Sequence, residues 1–146
     1  MFTLNVDGEA AFDRTKAAAP APLQILIVED DEADAYLIKR LLSENPRIGR
    51  VIRAVDGVEA LELLAVGVSP DLAFIDLQMP RMNGFALVGE IGARRLRFPT
   101  IVLTSTNSPS DLTRNKLRCA NRILSKPDTV SKMRAVLNQA IEIIDV

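Results

Sequence analysis

Histidine and tryptophan are absent from this 146-residue chain, and cysteine and tyrosine occur once each. Without imidazole, histidine-based catalytic triads and most zinc sites are excluded, so any chemistry must use carboxylates, hydroxyls and lysine. The single cysteine, Cys119, cannot form an internal disulfide. Its position between Leu117 and Ala120 predicts a small buried side chain, which fits a reducing compartment.

Long apolar runs and an excess of charge of either sign are also absent. No run approaches the ~20 residues that a membrane-spanning helix needs, and residues 1–13 lack the charged and apolar regions of a secretion signal. The net charge is −1, and Lys and Arg are not gathered into a stripe. We therefore expect a cytoplasmic protein that binds neither membranes nor nucleic acid.

Two segments of different character divide the chain. Residues 1–22 show no sustained periodicity and end in the alanine-proline stretch AAAPAP, which resists helix and sheet. We expect an N-terminal extension and linker there. Residues 23–146 are apolar enough to form one domain with a sizeable core. Since the last predicted helix ends close to Val146, we expect no separate output domain and an output through protein contacts.

Short apolar runs alternate with segments of helical periodicity from Leu23 onward. The predicted strands are Leu23–Val28, Val51–Val55, Asp71–Ile75, Thr100–Leu103 and Arg122–Leu124. The predicted helices are Ala33–Glu44, Val58–Val66, Phe85–Ile91, Asp111–Leu117 and Val130–Ile144. This alternation requires right-handed crossovers and predicts an α/β fold with a parallel sheet covered by helices on both faces.

Polar side chains follow the predicted strands at the edge where such sheets place their sites. They are Glu29, Asp30 and Asp31 after the first strand, Asp76 after the third, Thr104 after the fourth and Lys126 after the fifth. Carboxylates this close repel one another, and Mg²⁺, which prefers oxygen ligands, would relieve that repulsion. Asp76 could then act as a nucleophile and become an aspartyl-phosphate. Lys126 and the Thr104 hydroxyl would each hold a phosphoryl oxygen.

The same residues carry a family resemblance. The acidic pair Glu29-Asp30, the block Asp71 to Gly84 (DLAFIDLQMPRMNG), Thr104 and Lys126-Pro127 occur in the order found in response regulator receiver domains. The chain resembles that family over roughly residues 23 to 144. The resemblance implies a flavodoxin-like five-stranded sheet of order 2-1-3-4-5 with five helices.

The resemblance also implies roles for individual residues. Asp76 would be the phosphoacceptor, with Lys126 and Thr104 beside the phosphoryl group. Asp30, Asp76 and the backbone carbonyl of Gln78 would ligate Mg²⁺ directly, and Glu29 would act through water. The Lys126-Pro127 bond is often cis in the family. Such a protein is not an enzyme toward other substrates, because it catalyses only its own phosphorylation and dephosphorylation.

The implied partner is a histidine kinase or phosphotransfer protein, which supplies the histidine that this chain lacks. The run EDDEAD at residues 29–34, with TSTN at residues 104–107, is similar to single-domain regulators of bacterial phytochrome kinases. Those regulators often form homodimers through the fourth helix, the fifth strand and the last helix. The downstream target is left open.

One position departs from the family pattern, and two other functions compete. Ile123 stands where the family usually has an aromatic switch residue, so the resemblance does not carry over coupled movement of Thr104 and an aromatic ring. A pseudo-receiver, a binding module that works without phosphorylation, is one alternative, although such chains typically lose the residues kept here. An aspartate-based phosphatase is another, but position 78 is Gln where those enzymes place a general acid.

Two further residues receive structural interpretations. Asp31 is predicted to cap the first helix, because a short acceptor side chain precedes a segment of helical periodicity. Tyr36 is predicted to pack on that helix and not to serve as a functional hydroxyl.

Overall fold

The computed structural model describes residues 21–105 and 120–143. Most of the predicted N-terminal extension, the predicted helix Asp111–Leu117 and Cys119 lie outside the described residues. The division of the chain after residue 22 therefore stays a prediction.

The described residues form a parallel sheet with helices between its strands. The strands are β1 (Leu23–Val28), β2 (Ile48–Ala54), β3 (Leu72–Asp76), β4 (Thr100–Thr104) and β5 (Arg122–Ser125). The helices are α1 (Glu32–Ser43), α2 (Gly57–Ala65), α3 (Gly84–Ala93) and α4 (Val130–Ile143). All pairings are parallel, in the order β2-β1-β3-β4-β5. This confirms the predicted fold class and strand order.

Strand β2 begins three residues earlier than its apolar pattern predicted. Ile48 pairs with Leu23, and the register then shifts before Arg50 pairs with Gln24. Gly49 and Arg50 are exposed, because β2 lies at an edge of the described sheet and its first residues need not be apolar. Hydrophobic periodicity therefore missed the polar start of this strand.

The core lies in two layers, one on each face of the sheet, because successive strand residues point to opposite sides. Ile25 and Ile27 of β1 pack with α1 and α4, whereas Leu26 and Val28 pack with α2 and α3. Strands β3 and β4 are buried throughout. Phe74 is among the largest fully buried side chains. Burial of both faces explains the nearly continuous apolar runs in the sequence.

Short polar side chains begin the first three helices immediately after the strand-end loops. Asp31 caps α1 by accepting a hydrogen bond from the Asp34 amide at 3.0 Å, as predicted. Asp56 caps α2 and Asn83 caps α3 in the same way. Each cap satisfies an amide that would otherwise lack a partner, and it fixes where the helix begins beside the sheet edge.

The prediction that Tyr36 packs on α1 is wrong. Its side chain is 64% exposed, and its hydroxyl accepts a hydrogen bond from Arg40 at 3.2 Å. The buried face of α1 is formed by Ala35, Ile38, Leu41 and Leu42. Tyr36 lies about 100° around the helix from Ala35 and so points outward. No helix among the described residues is long and apolar enough to cross a bilayer.

Candidate functional site

Three carboxylates meet at the carboxyl edge of the sheet. The Glu29 amide donates to the Ala54 carbonyl at 3.0 Å, which extends the pairing of β1 with β2 and buries the Glu29 side chain to 1% exposure. Asp30 follows in an exposed position, and Asp76 is the last residue of the neighbouring strand β3. One oxygen of each of these carboxylates lies within 4.8 Å of the others. The structure thus brings Glu29, Asp30 and Asp76 together, while Asp31, the fourth acid of the predicted cluster, caps α1.

Lys126 follows β5, which lies at the opposite edge of the described sheet from β2, and its side chain extends to this cluster. Its backbone amide donates to the Thr104 carbonyl at 2.6 Å, which ties the end of β5 to the end of β4. Its Nζ lies 2.9 Å from Glu29 Oε1, 3.0 Å from Asp34 Oδ2 and 3.6 Å from Asp76 Oδ1. The Lys126-Pro127 peptide bond is trans, whereas the resemblance stated above suggested a cis bond. The ammonium therefore enters the acid cluster without a cis bond.

The remaining predicted site residues lie beside Asp76. Thr104 is buried at the end of β4, one residue beyond Leu103, the register partner of Asp76. Gln78 is exposed, and its backbone amide donates a hydrogen bond to the Asp76 carboxylate. The assigned roles of Thr104 and of the Gln78 carbonyl stay predictions.

Burial sets the protonation of the site. Burial raises the pKa of Glu29 from 4.5 to about 7, despite the opposing contact with Lys126. Burial also raises the pKa of Asp76, and the Lys126 charge only partly opposes this. For Lys126, burial lowers the pKa, but contacts with Glu29 and Asp34 outweigh it and the net shift is upward. Lys126 therefore stays positively charged. The raised pKa values of Glu29 and Asp76 mean that additional positive charge near these carboxylates would be favourable.

The carboxylate oxygens of this cluster are suitable ligands for a divalent cation. Glu29 Oε1 is buried 2.9 Å from the Lys126 ammonium, which also faces Asp34 and Asp76, so one positive charge is shared among three carboxylates. Asp30 is exposed beside it, so an ion at this edge would keep part of its water shell. Carboxylate oxygens with several waters are the environment that hard cations such as Mg²⁺ prefer. Glu29, Asp30 and Asp76 could hold such an ion.

An arginine from the edge strand fixes the backbone of the acid pair. Arg53 of β2 donates from Nε to the Glu29 carbonyl at 3.0 Å and from Nη2 to the Asp30 carbonyl at 3.1 Å. The planar guanidinium restricts both carbonyls at once. Arg53 was not among the predicted site residues, since nothing in the local sequence distinguishes it from a solvated arginine.

A further ion pair joins the loops that follow β2 and β3. Arg81 donates to both carboxylate oxygens of Asp56, at 2.6 and 3.0 Å, and the Gly57 amide donates to the Met82 carbonyl at 3.1 Å. Arg81 has a φ of 61°, which is uncommon for a residue with a side chain. Asp56 also follows a strand, so the strand-end pattern that found Asp76 could have identified it.

Asp34 was also missed by sequence reasoning. It lies in the first turn of α1 and contacts Lys126 across 92 residues of sequence. Its position four residues after Asp30, at the start of a helix that begins beside the site, is the one local signal that could have indicated it.

Comparison with known proteins places the chain in a family. The family model described as response regulator receiver domain matches residues 25–138. The Regulator of RpoS of Escherichia coli (strain K12) is 38% identical over 104 residues, which cover 71% of this chain and 30% of that protein. Response regulator MprA of Mycobacterium sp. (strain KMS) is 34% identical over 122 residues, which cover 81% of this chain and 52% of that protein. The chain thus spans about a third to half of these relatives.

Solved structures agree with this assignment. The phosphorylated cyanobacterial phytochrome response regulator RcpA superposes with a TM-score of 0.74 at 27% identity, covering 84% of this chain and 93% of that one. The Mn²⁺-bound form of response regulator Rcp1 superposes with a TM-score of 0.69 at 27% identity, covering 81% of this chain and 91% of that one. TrrA from Thermotoga maritima in complex with Mg²⁺-BeF gives 0.66 at 27% identity, covering 81% and 98%. The chain belongs to the response regulator receiver domain family of two-component signalling proteins.

Proposed function

We propose that this protein is a response regulator that accepts a phosphoryl group on Asp76 in a Mg²⁺-dependent reaction. The observation that carries the proposal is the convergence of Glu29, Asp30 and Asp76 at one sheet edge with the Lys126 ammonium 3.6 Å from Asp76 Oδ1. A nucleophilic carboxylate, a cation site and a fixed ammonium are the parts that phosphoryl transfer requires.

The protein residues divide the work of the reaction. An Asp76 oxygen attacks the phosphorus atom of the donor, the new O–P bond forms, and the bond from phosphorus to the donor nitrogen breaks. Lys126 donates to one phosphoryl oxygen, and the Thr104 hydroxyl donates to another. The Gln78 amide orients the Asp76 carboxylate through its hydrogen bond. Positioning and charge neutralisation by these groups lower the barrier.

The proposed cation is Mg²⁺, held directly by Asp30, Asp76 and the Gln78 carbonyl, with Glu29 acting through water. When bound, it would neutralise charge on the transferred group. The single Lys126 ammonium faces three carboxylates, and the excess of carboxylate oxygens over cations supports this assignment. The Mn²⁺-bound and Mg²⁺-BeF-bound forms of related proteins also support it.

The proposed donor is a histidine kinase or a phosphotransfer protein. The likeness to RcpA supports a bacterial phytochrome kinase as that donor. We further propose that the protein acts as a single-domain regulator, that it catalyses only its own phosphorylation and dephosphorylation, and that it signals through protein contacts. A homodimer through the predicted fourth helix, β5 and α4 would use the sheet edge where the Arg122 side chain is exposed.

Ile123 gives the phosphorylation signal a different route from an aromatic switch. Its half-buried side chain packs against the core layer formed with α2 and α3. A shift of Thr104 toward a phosphoryl group would therefore reach β5 through backbone pairing, since Thr104 pairs with Ser125. The output would be a change in packing at β5 and not the rotation of a ring.

Intact-mass measurement after incubation with a small-molecule phosphodonor tests the proposal. We expect the wild-type protein to gain one phosphoryl group in the presence of Mg²⁺ and to gain none in a chelator. Asp76→Asn should not be labelled. Asp31→Asn is the matched control, because asparagine keeps the helix cap and removes one neighbouring acid; it should be labelled. Absence of labelling under conditions that label another receiver would refute the proposal and favour the pseudo-receiver.

A further inference from the structure

Asp34 forms a contact with Lys126 that phosphoryl transfer does not require. Its Oδ2 lies 3.0 Å from Nζ, as close as Glu29 at 2.9 Å and closer than Asp76 at 3.6 Å. The Asp34 amide is held by the Asp31 side chain, which fixes this residue at the start of α1. The ammonium is therefore drawn toward α1 and away from the nucleophile.

Counting donors shows which contact a phosphoryl group would replace. A lysine ammonium has three N–H donors, and three carboxylates already surround this one. Glu29 is 1% exposed, so bulk water cannot readily replace the ammonium at its carboxylate. The Asp34 side chain is 43% exposed, so water can solvate it when the ammonium leaves. Asp34 is the partner that Lys126 can give up most easily.

The geometry points to Asp34 as a competing counter-ion that holds Lys126 in the unphosphorylated protein and weakens the affinity of the site for a phosphoryl group. This inference rests on the proposed function, since it concerns the same lysine. Asp34 is a positioning residue: it acts through Lys126. Its negative charge acts in the same direction, because it repels an incoming anionic group.

Binding of beryllofluoride, a phosphoryl mimic, in the presence of Mg²⁺ tests the inference. The affinity would be measured by titration calorimetry and ¹⁹F NMR on the full chain. We expect Asp34→Asn to bind about three- to five-fold more tightly than wild type, the range expected for losing one partly exposed ion pair. Asp34→Glu, which keeps the charge, should return toward wild-type affinity. Mg²⁺ binding without fluoride should change no more in Asp34→Asn than in the control.

Glu32→Gln is the matched control. Glu32 lies in the same first turn of α1, is exposed, and loses the same charge on substitution. Its beryllofluoride affinity should stay at the wild-type value. Unchanged or weaker binding by Asp34→Asn would overturn the inference, and so would an equal gain in Glu32→Gln. If wild type and Asp76→Asn both fail to bind beryllofluoride, the proposed function itself fails.

Discussion

Gly84 begins helix α3 directly against the end of strand β3, and its replacement by alanine tests how closely that helix must approach Asp76. A Cβ at position 84 would lie 2.7 Å from the Asp76 carbonyl oxygen and 2.9 Å from the Leu77 Cα. Both are backbone atoms, and the Gly84 amide already donates to the Leu77 carbonyl at 3.1 Å. The strand and the helix would have to separate to accommodate one methyl group.

The magnitude follows from two opposing effects. Overpacking against fixed neighbours costs typically about 1–3 kcal/mol. The lower entropy of the unfolded chain after a glycine-to-alanine change returns about 0.4–1 kcal/mol. We expect Gly84→Ala to lower the free energy of unfolding by about 1–2 kcal/mol on these terms. Its phosphorylation should also be slower, because the displaced backbone carries Asp76.

Gly89 of the same helix provides the matched control. It is exposed, and a Cβ there would meet nothing within 4 Å. Gly89→Ala should therefore raise the free energy of unfolding by about 0.5–1 kcal/mol, the usual gain inside a helix, and leave phosphorylation unchanged. The same chemical change thus has opposite signs at two positions of one helix.

Urea denaturation followed by far-UV circular dichroism gives both free energies, since the chain has no tryptophan for fluorescence. Intact-mass time courses give the phosphorylation rates. A Gly84→Ala protein as stable as wild type would refute the close approach of α3 to β3. A loss of stability in Gly89→Ala would refute the open, exposed position of Gly89 on α3.

Three further predictions concern the charged side chains of Lys126, Glu29 and Asp56. Lys126→Met should slow phosphorylation of Asp76 by about tenfold or more, because one fixed donor to the transferred group is lost; a rate within twofold of wild type, from mass time courses, would contradict this. In metal-free buffer, the raised pKa of Glu29 means that folding takes up a proton. Protonated Glu29 contributes fully to the free energy of unfolding below the unfolded pKa of 4.5, and this contribution is lost as pH rises toward 7. The free energy of unfolding of wild type should therefore fall across that window relative to that of Glu29→Gln. If urea denaturation gave the same pH dependence of the free energy of unfolding for wild type and Glu29→Gln, this role of Glu29 would be excluded. The hydrogen bond from Arg81 lowers the pKa of Asp56, so their pair should stabilise the fold above the usual aspartate pKa of 3.8 and lose that effect as pH falls through the lowered value. Asp56→Asn, which keeps the cap, should show less acid destabilisation than wild type in the same urea assay, and an equal acid response would exclude this role.

The strands and the acid cluster were predictable because their signals are local. Buried strands in a parallel sheet read as apolar runs, and topology places the residues after them at one edge. That reasoning brought Asp76 and Lys126 to the same site although 50 positions separate them in sequence. Asp31 was likewise recognisable as a cap from its neighbours alone.

The features that sequence reasoning missed depend on where particular side chains point. Asp34, Arg53 and Arg81 read as ordinary charged residues of a helix, a strand and a loop. Their partners lie 92, 23–24 and 25 residues away, and only the folded arrangement brings them together. Tyr36 was misjudged for a related reason, since its neighbour Ala35 faces the core and it does not.

The contact of Arg53 with the carbonyls of Glu29 and Asp30 connects the outer edge of the sheet to the acids. Strand β2 has β1 on one side, while its other side has no strand among the described residues. A displacement of that outer strand, by a partner or by a substitution, would act on the two residues that open the site through the Arg53 guanidinium and through the hydrogen bond from the Glu29 amide to the Ala54 carbonyl. The outer strand and the backbone of the acid pair are therefore joined directly by hydrogen bonds, and we expect them to shift together.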